Sequence, residues 1–493
     1  MAYGAQCVRL HAFATSKNTT RSLNMARLRD YDCIGFDLDH TFIQYRLDNL
    51  YPMIYSCFAQ VLVKERGYDC SLLEDDFEDF KDFCLKGLVL DTKKGNILKL
   101  GVDGFILRAS HGTQQLTRKE ITDCYGEQCI WPKFNILKEN PIQHSNVFRV
   151  FENYFDLPVL VICARIVDIT DKKFGKPEGY NFWPDIIFSL RKIFNPSSFN
   201  IDKKEQYFYN LKRNISKFVK PSPEKIINWI KSMKETKQTV FLLTNSDIDY
   251  TNLLMNYAVG KHWPEMFDMV VCAAGKPGFF KSEEPLIKFH ELDGEKEVGP
   301  VQELQENKMY SKGNHKDLTI FLQKQTDLDM PKVLYFGDSI RSDLYPSVVF
   351  GDWNVVTVLE EMESEGMVTC QDQQDCLEDG PKSKKARLSV QDIEIESCKE
   401  EVLLSKQWGS FFVHADTCQD KIIDCKLDGD HDLVKTSGRK QINTFWGDLI
   451  QKYSTFVIPR LDFITELSPD HAFEAFSLSK GGFYPGSPKS LHL

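Results

Sequence analysis

The chain has 493 residues, with 61 basic against 71 acidic side chains, a formal net charge of −10, 42% hydrophobic residues and 12% aromatic ones. This is the make-up of a folded protein of roughly two or three domains. The acidic balance excludes general binding of nucleic-acid polymers or anionic membranes, and no apolar run reaches the roughly 18 residues of a membrane span. A bound anion would therefore need a local positive field.

Residues 1–30 read as an N-terminal extension. Its first 29 residues include Arg9, Lys17, Arg21, Arg27 and Arg29 and no acidic residue, so it fits either a mitochondrial transit peptide or an alternative-start extension running to Met25. The 14 cysteines are scattered without a Cys-x-x-Cys pair, which points to reduced thiols and a cytoplasmic protein, with mitochondrial import as the alternative.

Apolar runs at residues 31–37 (YDCIGFD), 239–244 (TVFLLT), 268–274 (DMVVCAA), 332–338 (KVLYFGD) and 354–359 (NVVTVL) predict buried strands. Helical patterns at 223–235 and 247–257 separate them, so the fold class is α/β, with an open, Rossmann-type parallel sheet as its core. Residues 31–46 and 220–359 make up that core. Residues 47–219 are too long for a strand connection and read as an inserted region that could close over the sheet. It is helical near 50–66, hairpin-like through 87–112 and helical again near 181–194. Residues 360–406 are charged and poor in large apolar side chains, a composition of disordered loops, while 407–493 regain aromatics and should pack on the core.

In such sheets ligands sit beyond the carboxyl ends of the strands, so the residues that terminate each run matter most. They are Asp37, Thr244, Lys276 just past its strand, and Asp338. Asp37 and Asp39 place two carboxylates one residue apart where the chain leaves a strand. That arrangement suits a nucleophile beside a proton shuttle, although Asp and Thr also cap helices.

The series Asp37-x-Asp39, Thr244, Lys276 and Asp338 with Asp343 resembles the four motifs of the haloacid-dehalogenase-like superfamily. The longer stretches CIGFDLDHTFIQYR, KGLVLDTKKGNILKL, RASHG, FDLPVLVICARIVD, LLTNSDIDYTNLLMNY, KPGFF, YSKGN, VLYFGDSIRSD and WGSFF are similar to the 5′-nucleotidase family within it, which includes the cytosolic purine enzymes.

The resemblance implies a haloacid-dehalogenase-like core with an inserted cap, and hydrolysis of nucleoside monophosphates through an aspartyl-phosphate. Asp37 would be the nucleophile and Asp39 the proton donor and acceptor. Mg²⁺ would be held by Asp37, the backbone carbonyl of Asp39 and Asp338, with Asp343 behind them. Thr244, Asn245 and Lys276 would hold the phosphate. His40, between the two aspartates and the threonine of the first motif, is expected to be structural.

Two departures bear on substrate. Thr113 follows His-Gly where the purine enzymes carry a base-stacking aromatic, and residues 185–196 lack their polar base and phosphate contacts. The nucleotide therefore stays open, as does oligomeric state. A binding or regulatory protein with little turnover, or a phosphatase for non-nucleotide esters, are the competing readings.

Overall fold

The computed structural model describes residues 25–74, 77–142, 147–201, 206–281, 285–365, 405–415, 435–436 and 439–474. The expected N-terminal leader and most of the expected charged loop lie outside these residues.

A nine-stranded sheet forms the centre. Across the sheet the strands are Lys296–Pro300, Phe289–Asp293, Lys308–Lys312, Met269–Cys272, Thr239–Leu243, Cys33–Phe36, Val333–Gly337, Asn354–Val358 and Phe456–Ile458. From Lys308–Lys312 to Phe456–Ile458 every neighbouring pair is parallel, whereas the hairpin of Phe289–Asp293 and Lys296–Pro300 is antiparallel. The expected α/β sheet is present, but its core is not purely parallel, and residues 456–458 are a strand of the sheet itself.

The central strands are buried along their whole length, as strands covered on both faces must be. They pack closely, and a Cβ at Gly35 would lie 2.3 Å from the Phe241 ring. Helix Glu224–Glu235 buries Ile226, Trp229, Ile230 and Met233, spaced so that one apolar stripe faces the sheet, and Trp229 meets Phe36 edge-on at 6.0 Å. Cys33–Phe36 is the first strand in sequence, yet it lies between Thr239–Leu243 and Val333–Gly337. The chain winds outward on one side of it and then on the other, so a topological switch point opens at its carboxyl end.

The region between the first two core strands leaves and returns through one antiparallel contact. Arg46 N donates to Phe218 O at 2.7 Å, and Lys220 N donates to Gln44 O at 2.9 Å. Within it a five-stranded antiparallel sheet orders Gln114–Gln115, Ile106–His111, Asn96–Leu100, Leu88–Asp91 and Phe148–Phe151. Helices Leu47–Arg66 and Leu157–Phe174 pack together beside it. One hydrophobic cluster runs from Ile34, Phe36 and Leu242 of the central sheet into Leu50, Ile54, Phe58 and Leu160 of these helices, so the two layers share a core. Among the described residues no helix is long and apolar enough to cross a membrane.

Helix His315–Thr326 is capped by Asn314, whose side chain accepts from Asp317 N at 2.9 Å. Its first residue, His315, lies against Phe280 and Trp353, and burial lowers its pKa from 6.5 to about 4. Unfolding lets this ring take a proton that the fold resists. Its stabilising contribution is therefore intact above pH 6.5 and is lost as the pH falls towards 4. Between pH 7.5 and 5, denaturant titration should show wild type losing on the order of 2 kcal/mol more stability than His315→Gln.

Candidate active site

Four neighbouring strands converge on the switch point. Lys276 follows Met269–Cys272, Thr244 follows Thr239–Leu243, Asp37 follows Cys33–Phe36 and Asp338 follows Val333–Gly337. Residues separated by up to 301 positions in the chain, from Asp37 to Asp338, thus stand along one sheet edge. Asp343 joins them from the single wide turn Ile340–Leu344. Gly337 makes this possible, because a Cβ there would lie 2.4 Å from Asp343 Cβ and 2.6 Å from its Cγ.

Carboxylate oxygens of Asp37, Asp338 and Asp343 lie within 4.8 Å of one another, and all three residues are buried. The Lys276 amine, with three hydrogens to share, lies within hydrogen-bonding distance of Asp37 Oδ1 at 2.8 Å, Asp343 Oδ1 at 2.6 Å, Tyr335 Oη at 2.8 Å and Leu243 O at 3.0 Å. Asp343 is held further by Ser339 N, which donates to Oδ2 at 3.1 Å, and by the Tyr335 hydroxyl, which donates to Oδ1 at 3.2 Å. The Asp343 carboxylate thus braces the lysine that faces Asp37.

This crowding of buried like charges shapes the electrostatics. Burial, with the Asp343 charge adding to it, pushes Asp37 up to about 7 against the opposing pull of Lys276. Burial also raises Asp338 well above the ordinary carboxylate range, opposed by Lys86. For Lys276, burial favours the neutral amine, but Asp343 and Asp37 outweigh it and the net shift is upward. Three hard carboxylates with too little positive charge among them suit an oxygen-coordinated cation.

Asp39 stands apart from that carboxylate group. Its Oδ1 accepts from the Tyr45 hydroxyl at 2.5 Å and its Oδ2 from Ser246 Oγ at 2.6 Å. Thr244 Oγ1 accepts from Ser246 N at 3.0 Å. Asn245, expected at the phosphate, has both polar side-chain atoms engaged with Lys276: Nδ2 donates to Lys276 O at 3.0 Å, and Oδ1 accepts from Lys276 N at 2.6 Å. His40 is buried between rings, 4.3 Å from Tyr154 and 4.7 Å from Tyr45.

The intervening region contributes residues that no local pattern marked. The buried Lys86 amine lies 3.6 Å from Asp338 Oδ2 and 3.8 Å from Glu361 Oε1, with the Tyr154 ring centre 3.7 Å away. Glu152 accepts from Ser339 Oγ at 2.9 Å, and burial raises its pKa. Lys86 opens KGLVLDTKKGNILKL, a stretch that carried the family resemblance without a role attached to its first residue.

Farther from the strand ends, Thr113 Oγ1 donates to Asp168 Oδ2 at 2.7 Å, while Asp185 accepts from Tyr68 Oη at 3.0 Å and pairs with Arg66 at 3.2 Å. Both positions where the sequence departs from the purine enzymes are thus tied into local polar contacts.

The sequence pattern of the 5′ nucleotidase family matches residues 19–457. Human 5′-nucleotidase domain-containing protein 1 is 36% identical, covering 93% of this chain and 96% of its own, and the Bos taurus protein of the same name is 34% identical with the same coverage. Human 5′-nucleotidase domain-containing protein 2 is 25% identical over 69% of this chain and 63% of its own. The chain belongs to the 5′ nucleotidase family of phosphoric monoester hydrolases.

Proposed function

We propose that this protein is a Mg²⁺-dependent 5′-nucleotidase that hydrolyses nucleoside monophosphates through an aspartyl-phosphate on Asp37, within a haloacid-dehalogenase-like core capped by residues 47–219. The observation that carries this reading is the cluster of Asp37, Asp338 and Asp343 with the Lys276 amine 2.8 Å from Asp37, at the carboxyl edge of adjacent parallel strands.

Asp37 attacks phosphorus, and the bond to the leaving oxygen breaks as Asp39 gives that oxygen its proton. In the second half, water attacks the phosphoryl group and loses a proton to Asp39, which restores both aspartates and releases phosphate. Lys276 and Thr244 hold phosphate oxygens, and Asn245 serves them by clasping the Lys276 backbone. Asp37, Asp338 and the carbonyl of Asp39 would hold Mg²⁺, with Asp343 behind them. When bound, the ion supplies positive charge that offsets the repulsion between the Asp37 carboxylate and the substrate phosphate. The chain works in the cytoplasm on this reading.

Phosphate release from a panel of nucleoside monophosphates, with non-nucleotide phosphate esters beside them, tests the assignment. Turnover should require added Mg²⁺ and vanish after chelation, with at least one nucleotide preferred over the other esters. Turnover that survives chelation would remove the metal from the account, and preference for a non-nucleotide ester would move the substrate.

A further inference from the structure

The Asp39 carboxylate is the end of a buried chain of phenols. Tyr45 Oη donates to Asp39 Oδ1 at 2.5 Å, Tyr45 and Tyr250 hydroxyls meet at 3.0 Å, and Tyr250 and Tyr207 hydroxyls meet at 2.8 Å. All three tyrosines are buried. They come from different parts of the fold: Tyr45 from the segment after the first core strand, Tyr250 from helix Ile248–Ala258, and Tyr207 from helix Tyr207–Arg213 of the intervening region.

A phenol has one hydrogen to give. Tyr45 spends its hydrogen on Asp39, so its oxygen must accept from Tyr250, and Tyr250 in turn must accept from Tyr207. Every hydrogen in the chain therefore points towards Asp39 Oδ1. A phenol keeps its hydrogen at neutral pH, so all three remain donors. Reversing the chain would leave the Tyr207 hydrogen without an acceptor among the contacts described. A buried polar group without a partner is costly, so the chain has one favoured direction.

We propose that Tyr45 is a positioning residue for Asp39. Backed by Tyr250 and Tyr207, it fixes the carboxylate's rotation and keeps Oδ1 an acceptor, so that the acid's proton resides on Oδ2; the Ser246 hydroxyl, which donates to Oδ2 at 2.6 Å when Asp39 is ionised, turns its hydrogen away when Oδ2 carries the proton, and Oδ2 delivers it to the leaving group. This rests on the proposed role of Asp39 as proton donor. It also gives the intervening region a direct line to the chemistry, since the chain starts on Tyr207.

The test is leaving-group dependence. Phenyl phosphate and p-nitrophenyl phosphate have nearly the same shape, but p-nitrophenolate departs readily without a proton and phenolate does not. In Tyr45→Phe, kcat/KM should fall about ten-fold or more for phenyl phosphate and at most about three-fold for p-nitrophenyl phosphate. Tyr250→Phe, which leaves Tyr45 in place, should show the same split with smaller size. Folding damage would lower both substrates alike. Equal losses on the two esters in both variants, or no loss on either, would overturn the proposal. Wild type releasing phosphate from neither these esters nor any nucleoside monophosphate would instead overturn the phosphomonoesterase reading beneath it.

Discussion

Replacing Lys276 with Met is expected to destabilise the metal-free protein by about 3–5 kcal/mol and to remove most of its activity. The Lys276 amine lies within hydrogen-bonding distance of four oxygens, among them Asp37 Oδ1 at 2.8 Å and Asp343 Oδ1 at 2.6 Å. Methionine fills the space but leaves two buried carboxylates facing each other without a cation, and a charge stripped of its buried partner costs far more than the pair was worth. The loss should depend on pH in a stated direction. Asp37 already sits near 7, and without the amine it would take up a proton more readily still. Protonation removes the repulsion, so the variant's deficit should be largest at alkaline pH and shrink as the pH falls. Urea titrations of both proteins in chelator, at two pH values, measure it. A deficit under about 1 kcal/mol at alkaline pH would mean that the amine does not hold the site together.

Asp37→Asn is expected to leave the fold intact and reduce turnover by about four orders of magnitude or more, because the amide is isosteric but does not attack phosphorus. It also removes one charge from the crowded cluster, so the metal-free variant should be as stable as wild type or slightly more so. A stable, inactive Asp37→Asn beside an unstable, inactive Lys276→Met separates the chemical from the structural contribution. Phosphate release and thermal unfolding, measured on both variants, report the two.

The parts of this site that could be read from sequence are those fixed by the ends of buried strands. Cys33–Phe36, Thr239–Leu243, Met269–Cys272 and Val333–Gly337 are near-continuous apolar runs, and their order in the sheet brings Asp37, Thr244, Lys276 and Asp338 to one edge. Other members had no such marker. Lys86 and Glu152 reach Asp338 and Ser339 across 252 and 187 positions, and a lysine before a strand or a glutamate after one reads locally as a solvated charge. Tyr335 looked like one more apolar residue of its strand, although it lies beside the Lys276 amine. The hairpin of Phe289–Asp293 and Lys296–Pro300 carries a two-residue Gly294-Glu295 turn with Gly at its first position, a readable signal, but its strands are too polar to stand out as buried. Phe456–Ile458 joins the sheet with only three residues, too few to show a period.

The central claim is that phosphate passes through Asp37, and the most direct measurement is acid quenching during turnover followed by mass analysis of the peptide containing residues 33–39. Wild type should carry a phosphoryl group on that peptide. Asp39→Asn, slowed in the water-attack half, should accumulate more of it from a substrate with a good leaving group, and Asp37→Asn should carry none. Turnover in wild type with no phosphoryl group on that peptide in either wild type or Asp39→Asn, or a phosphoryl group that persists there in Asp37→Asn, would contradict the account.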